Sequence, residues 1–232
     1  MQKRISMSIT SRKEVIDLLN SRAALKQDIA DYSLEVMSLF KEEVVYELGK
    51  LRKSISDKRI RLEIKDKNEY EFLVSTGSDT LVFQLHRNVF CLPDEDPIWE
   101  SDYMKKDRNN GYFGIINIYN FLAESFDNNR MNDSGYLIAR VFMNHNQDFA
   151  IEGRGRLGEL FQNLPENKIT KKSVCEIIRL AFIDSIEFDL ITPPFEIVEE
   201  VSVMQIQAIS SNLHVATGKR LGFKFEADND VF

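Results

Sequence analysis

From Ser11 to Ile55 the chain contains no proline and only one glycine, Gly49, while its apolar residues recur every three to four positions. Val15, Leu18, Leu19, Leu25, Ile29, Val36, Phe40, Val44, Leu48, Leu51 and Ile55 form that series. A period of 3.6 sustained this long predicts a helix rather than a strand. Ser11-Arg12-Lys13-Glu14 supplies its start: a serine hydroxyl and a glutamate three residues on satisfy the first free amides. At 1.5 Å per residue, a helix of roughly 40 residues is about 60 Å long. Such a rod exceeds the width of an ordinary domain. The sequence therefore predicts that Ile29, Val36, Phe40, Val44 and Leu48 bury against a second copy or a partner, giving a homodimer through the N-terminal helix, with packing along the chain's own sheet as the simpler alternative.

After residue 57 the period changes to two. Arg59–Asp66, Tyr70–Ser75 and Thr80–His86 alternate as strands, separated by Lys67-Asn68 and by Thr76-Gly77-Ser78-Asp79, and Val89–Leu92 follows a tight turn. Loops this short connect antiparallel neighbours. Periodicity is lost between Pro93 and Asn110, which reads as a loop. Tyr112–Tyr119, Tyr136–Met143 and Phe149–Glu152 read as further strands. A second helix is predicted from Thr170 through Ile186, ended by Thr192-Pro193-Pro194. Ile197–Ile209, with a phase slip near Met204, and Lys219–Phe225 complete the expected strands. The expected fold is α+β: a mostly antiparallel sheet, a long N-terminal helix and one later helix on the sheet. Two units are expected, a helical element over 1–57 and an α+β body over 58–232.

Charge and composition narrow the function classes. Of 232 residues, 43% are hydrophobic, enough for a core without staples. Residues 1–61 carry a net charge of +4 and the remainder −11. An acidic body argues against nucleic acid as a partner, since phosphate neutralisation supplies most of that affinity. The basic cluster Lys50, Arg52, Lys53, Lys58, Arg59 and Arg61 reads as a solvated helix end, with a docking patch for an acidic partner as the alternative. Cys91 and Cys175 stand apart from each other and from any Cys/His cluster, so neither a disulfide framework nor a zinc site is expected. No apolar run is long enough to span a bilayer. A reduced, cytoplasmic protein with no cofactor, no resident metal and no membrane association is the expectation.

Five segments are candidates for chemistry. Gly153-Arg154-Gly155-Arg156-Leu157-Gly158 fits G-x-G-x-x-G between a strand and a short helical run, where backbone amides can approach a phosphate. Its surroundings lack the βαβ unit of a dinucleotide fold. An anion held by Arg154 and Arg156 is the remaining functional reading. Lys219 and Arg220 lie in a second glycine-basic turn, Thr217–Gly222, which completes a cationic pocket if both turns share one end of the sheet. Asp94–Asp102 surrounds Trp99, the single tryptophan, with five carboxylates and reads as an acidic loop or an interaction epitope. Glu63-x-Lys65 with an acid such as Asp79 is the minimal pattern for a metal-dependent phosphodiesterase or nuclease. His86, His145 and His214 lack partners at ligand spacing, although His86 and Cys91 are near enough in sequence to be considered as base and nucleophile.

Together these predict a non-catalytic, self-associating binding protein for an anionic or phosphorylated small molecule or partner. A metal-dependent phosphodiesterase and a structural adaptor docking through the N-terminal helix are the alternatives.

Overall fold

The computed structural model describes residues 11–192 and 194–210. Ser11 caps the first helix as its sequence predicts, its hydroxyl accepting from the amide of Glu14 at 3.1 Å. Helix α1 (Arg12–Leu18) passes through a π turn (Leu19–Ala23) into α2 (Ala24–Ser54). The three form a rod about 65 Å long. Residues 12–24 are exposed throughout, and continuous burial of the apolar stripe begins at Ile29.

Seven antiparallel strands follow: β1 (Leu62–Asn68), β2 (Glu71–Thr76), β3 (Asp79–Leu85), β4 (Phe90–Cys91), β5 (Tyr112–Leu122), β6 (Tyr136–Met143) and β7 (Phe149–Gly153). Their order is β1-β2-β3-β5-β6-β7, with β4 paired to the start of β5. The segment before β5 folds rather than looping freely, as a 3-10 turn (Pro97–Glu100), α3 (Asp102–Lys106) and a second 3-10 turn (Arg108–Gly111). Helix α4 (Ala123–Asp127) follows β5, α5 (Gly155–Leu160) follows β7, and α6 (Lys171–Ile186) starts on a Thr170 cap reciprocated by Ser173.

One face of the sheet carries Phe72, Val74, Leu81, Phe83, Ile116, Ile118, Val141 and Ile151, and α2 and α6 cover it. Ile29, Phe40 and Val44 are 0% exposed, Leu48 1% and Val36 2%. This corrects the expectation for the stripe. Its five side chains are covered by the chain's own sheet and leave no apolar ridge for a second copy. Gly114 allows the close approach, since a Cβ there would lie 1.9 Å from the Ser33 hydroxyl of α2.

Helices α2 and α6 meet through polar side chains as well. Glu43 and Glu47, one turn apart, face Cys175 and Arg179, also one turn apart. Arg179 donates to both oxygens of Glu47, at 3.0 and 2.8 Å. That fork holds the Glu47 carboxyl below the usual carboxylate range. A lowered folded-state pKa contributes stability above the ordinary range near ~4.3, which is lost as pH falls through the folded value. Removing Arg179 leaves Glu47 buried without its main cation. Arg179→Ala is expected to cost about 1–3 kcal/mol at neutral pH, and urea titrations should show the deficit shrinking below about pH 4.

Two expected strands are corrected. Val89–Leu92 shortens to β4 and pairs with β5 instead of continuing from β3. Ile197–Ile209 is helical: α7 (Phe195–Val198) and α8 (Val203–Ser210) lie there. The cause is a capping box. Ser202 accepts from the amide of Gln205 at 3.1 Å, and Gln205 accepts from the amide of Ser202 at 2.7 Å. Lys219–Phe225 lies outside the described residues.

Asn120 is wholly buried on the helix-covered face, and neither its amide nitrogen nor its oxygen has a hydrogen-bond partner among the described residues. A buried unpaired amide carries its full desolvation cost. Asn120→Leu is expected to stabilise the protein by about 1–2 kcal/mol in urea denaturation, removing that cost at similar volume.

Candidate functional site

The opposite face of the sheet carries a different pattern. Glu71, Gln84, Asn117, Arg140 and Glu152 stand opposite one another across β2, β3, β5, β6 and β7, one residue per strand. Beside this polar row runs an apolar one, with Ile115 opposite Phe142 and Phe142 opposite Ala150. His86 joins it, its amide donating to the Ile115 carbonyl at 2.8 Å. Side chains alternate along each strand, so every residue of both rows points away from α2 and α6.

The segment from Phe90 to Ile98 rises along one side of these rows and encloses a groove of about 610 Å³. Phe90, Leu92, Pro93, Ile98, Phe113 and Leu164 wall it, over a floor of Ile115, Asn117, Arg140, Phe142 and Ala150. Volumes of 300–1,000 Å³ with a mostly apolar lining and a few convergent polar groups characterise small-molecule sites. The enclosing segment is itself anchored. Asp96 accepts from the Ile98 amide at 3.0 Å, and the Trp99 indole donates to the Pro93 carbonyl at 2.7 Å. The Arg108 guanidinium lies 4.6 Å over the Trp99 ring, and Gly111 lies beneath, where a Cβ would clash with the ring at 2.1 Å. Trp99 therefore works as the anchor of its own loop.

Most polar groups of the groove already have partners. Arg140 pairs with Glu152, and its guanidinium lies 5.6 Å from the Phe142 ring. The His86 Nδ1 accepts from the Asn88 amide at 3.1 Å, and farther along the row, beyond the groove lining, Gln84 donates to Glu71 at 3.3 Å. Two groups differ. The Arg140 Nε is buried with no hydrogen-bond partner among the described residues. Asn117 is 9% exposed, lines the groove, and makes no side-chain hydrogen bond among the described residues.

A second hollow of about 860 Å³ lies between the C-terminal ends of α2 and α6 and the β2–β3 turn. Its polar groups are committed: Glu47 to Arg179, Thr76 to Ser185 and Arg59 to Asp57. Ser78 donates to Asp79, so among the described residues this hollow offers mainly apolar surface.

The glycine-arginine turn is where the sequence places it, between β7 and α5, and Gly155 has φ +56°. Its space is occupied from within the chain. The Asp184 carboxylate of α6 lies 3.4 Å from where a Gly155 Cβ would stand, near enough to the start of α5 for the Leu157 amide to pull its pKa down. Arg156 pairs with Glu187 at 3.5 Å. Burial raises the Asp184 carboxyl above the usual range, against the pull of Arg156. A carboxylate of the chain thus stands where a bound phosphate was expected. Lys219 and Arg220 lie outside the described residues, as does His214.

The remaining candidates do not converge. Glu63 and Lys65 are exposed on the edge strand β1, on the face away from the helices, whereas Asp79 aligns with Thr76 and Leu62 on the helix-covered face. No group of three or more His, Cys, Asp or Glu gathers in metal-binding geometry among the described residues. Cys175 is held by Glu43, and burial together with that bond pushes its thiol up to about 11, which keeps it from acting as a thiolate near neutral pH. His145 belongs to a network at the β6–β7 turn, facing Asn110 at 3.2 Å. There Tyr103 donates to the buried Asp148 at 2.6 Å, and Lys168 pairs with Asp148 at 2.7 Å. His86 and Cys91 do line one groove, but the imidazole is engaged with Asn88 and Phe90.

No helix among the described residues is long and apolar enough to cross a membrane. Compared with family models, curated proteins and solved structures, the chain matches none.

Proposed function

We propose that this is a non-catalytic binding protein that holds a small molecule in the groove on the open face of its sheet. The observation that carries this reading is the convergence of Asn117, Arg140 and Glu152, from three adjacent strands, on a largely apolar groove of about 610 Å³. Rigid strands, not loops, position these side chains, which favours recognition of one shape. An added side chain on the floor should abolish binding while sparing the core. In Ala150→Trp the indole fills the groove, so any molecule retained by the wild type in native mass spectrometry should be absent from the variant. A retained molecule of unchanged occupancy in Ala150→Trp contradicts this reading.

Self-association is a second reading, now with a different surface. Val15, Ile16, Leu18 and Leu19 are 48–59% exposed on the part of the rod that precedes Ile29. A contiguous exposed apolar stretch of this kind marks an interaction surface. Leu18→Glu with Leu19→Glu should yield a folded monomer in light scattering where the wild type is larger. A monomeric wild type contradicts the second reading and leaves the first intact.

A further inference from the structure

We infer that the ligand of the groove is a neutral, flat molecule that presents a lactam-like edge, an N–H beside a C=O, to Asn117. This rests on the groove being a ligand site. Asn117 is the middle residue of the polar row, nine-tenths buried, with its carboxamide facing the groove and no hydrogen bond among the described residues. The groove is the carboxamide's opening to solvent, and a ligand that displaces that solvent must satisfy the amide in its place. Its donor and acceptor lie side by side, and the edge that satisfies both at once carries an adjacent acceptor and donor.

Neutrality follows from charge. Arg140 and Glu152 neutralise each other within the row, leaving only the Arg140 Nε without a partner, a donor that a neutral acceptor can meet. Asp96 is turned to the Ile98 amide, and the His86 Nδ1 accepts from Asn88. A charged ligand entering this apolar space has no uncommitted counter-charge to meet, so its desolvation goes uncompensated. Flatness follows from the floor, where Ile115, Phe142 and Ala150 lie in one row beside Asn117 along the sheet. Lactams, pyridones and the oxo-bearing nucleobases share this chemistry.

Three matched bicyclic probes separate the elements: naphthalene has no polar edge, quinoline has an acceptor alone, and 2-quinolone has the full lactam edge. Titrated into the full chain and followed by ¹H–¹⁵N correlation spectra, 2-quinolone should bind at least about tenfold more tightly than naphthalene, as two added hydrogen bonds require. Asn117→Leu should erase that preference while still binding naphthalene. Asn117→Asp, which keeps the acceptors but loses the donor, should erase it too, and either variant that retains the wild-type spectral dispersion suffices. Equal binding of all three probes to the wild type overturns the lactam assignment and leaves the groove as a site. A preference that persists undiminished in a folded Asn117 variant overturns it as well. If no probe moves the groove amides, both the assignment and the groove reading fall.

Discussion

Phe40→Glu combined with Val44→Glu should abolish folding. In the structure both residues are 0% exposed between α2 and the sheet, with Phe40 6.0 Å from Phe83 and Phe83 stacked on Phe72 at 4.7 Å. Truncating one buried phenylalanine costs about 3–5 kcal/mol. Placing a carboxylate there adds the cost of burying a charge with no cation, and two such changes exceed the ~5–15 kcal/mol that holds an ordinary domain together. Circular dichroism should show loss of cooperative thermal unfolding, and the protein should aggregate. A soluble, folded monomer is the result expected if the stripe met a second copy instead, so the same variant distinguishes an internal core from an interface.

The second large effect belongs to the glycine-arginine turn. A Cβ on Gly158 would lie 2.1 Å from the Gly153 carbonyl oxygen, a backbone atom that moves only if β7 or α5 moves. Gly158→Val is therefore expected to cost at least about 3 kcal/mol, at the upper end of overpacking, in urea denaturation. Gly155→Val should also destabilise, because φ +56° suits glycine. Arg156→Ala removes only an exposed pair with Glu187 and should change stability by less than about 1 kcal/mol. This ordering follows if the three glycines serve to close β7 against α5 and to admit Asp184. A turn built for phosphate would instead show stability that depends on added anion.

The N-terminal helix was legible because its signals are local. The Ser11 cap, the missing prolines and the spacing of Ile29, Val36, Phe40, Val44 and Leu48 all lie within one element. What that spacing cannot contain is the identity of the covering surface. An amphipathic stripe states that one face is buried, and only the tertiary fold decides whether the cover is a sheet of the same chain. The first three strands were legible for the same reason, with turns at Lys67-Asn68 and Gly77-Ser78 falling close to where the sequence puts them.

Elsewhere local signals misled or were missing. Ser202-Val203-Met204-Gln205 fits the capping pattern, yet the apolar alternation around it reads as a strand with a slip at Met204. Weighting the cap over the alternation would have found the helix. The groove's polar row had no local signal at all. Glu71 and Glu152 are 81 positions apart, and the row exists only because the registers of four strand pairs coincide. Asn117 sits in the apolar run Ile115-Ile116-Asn117-Ile118, where a lone polar residue marks the face turned from the core. That interruption was the one available clue. The carboxylate at the glycine-arginine turn is a similar case, since Asp184 reaches the turn from α6, 29 residues beyond Gly155 in the chain.

A fragment screen read by ¹H–¹⁵N correlation spectra tests the open-face groove most directly, because it reports where small molecules bind without presuming which. Neutral ring fragments should shift the backbone amides of Ile115, Asn117, Arg140, Phe142 and Ala150 together with the Asn117 side-chain amide, and Ala150→Trp should abolish those shifts. Shifts that instead gather around Leu51, Ile55, Phe182 and Ile186, in the hollow between the ends of α2 and α6, would contradict the assignment of the open face as the binding site.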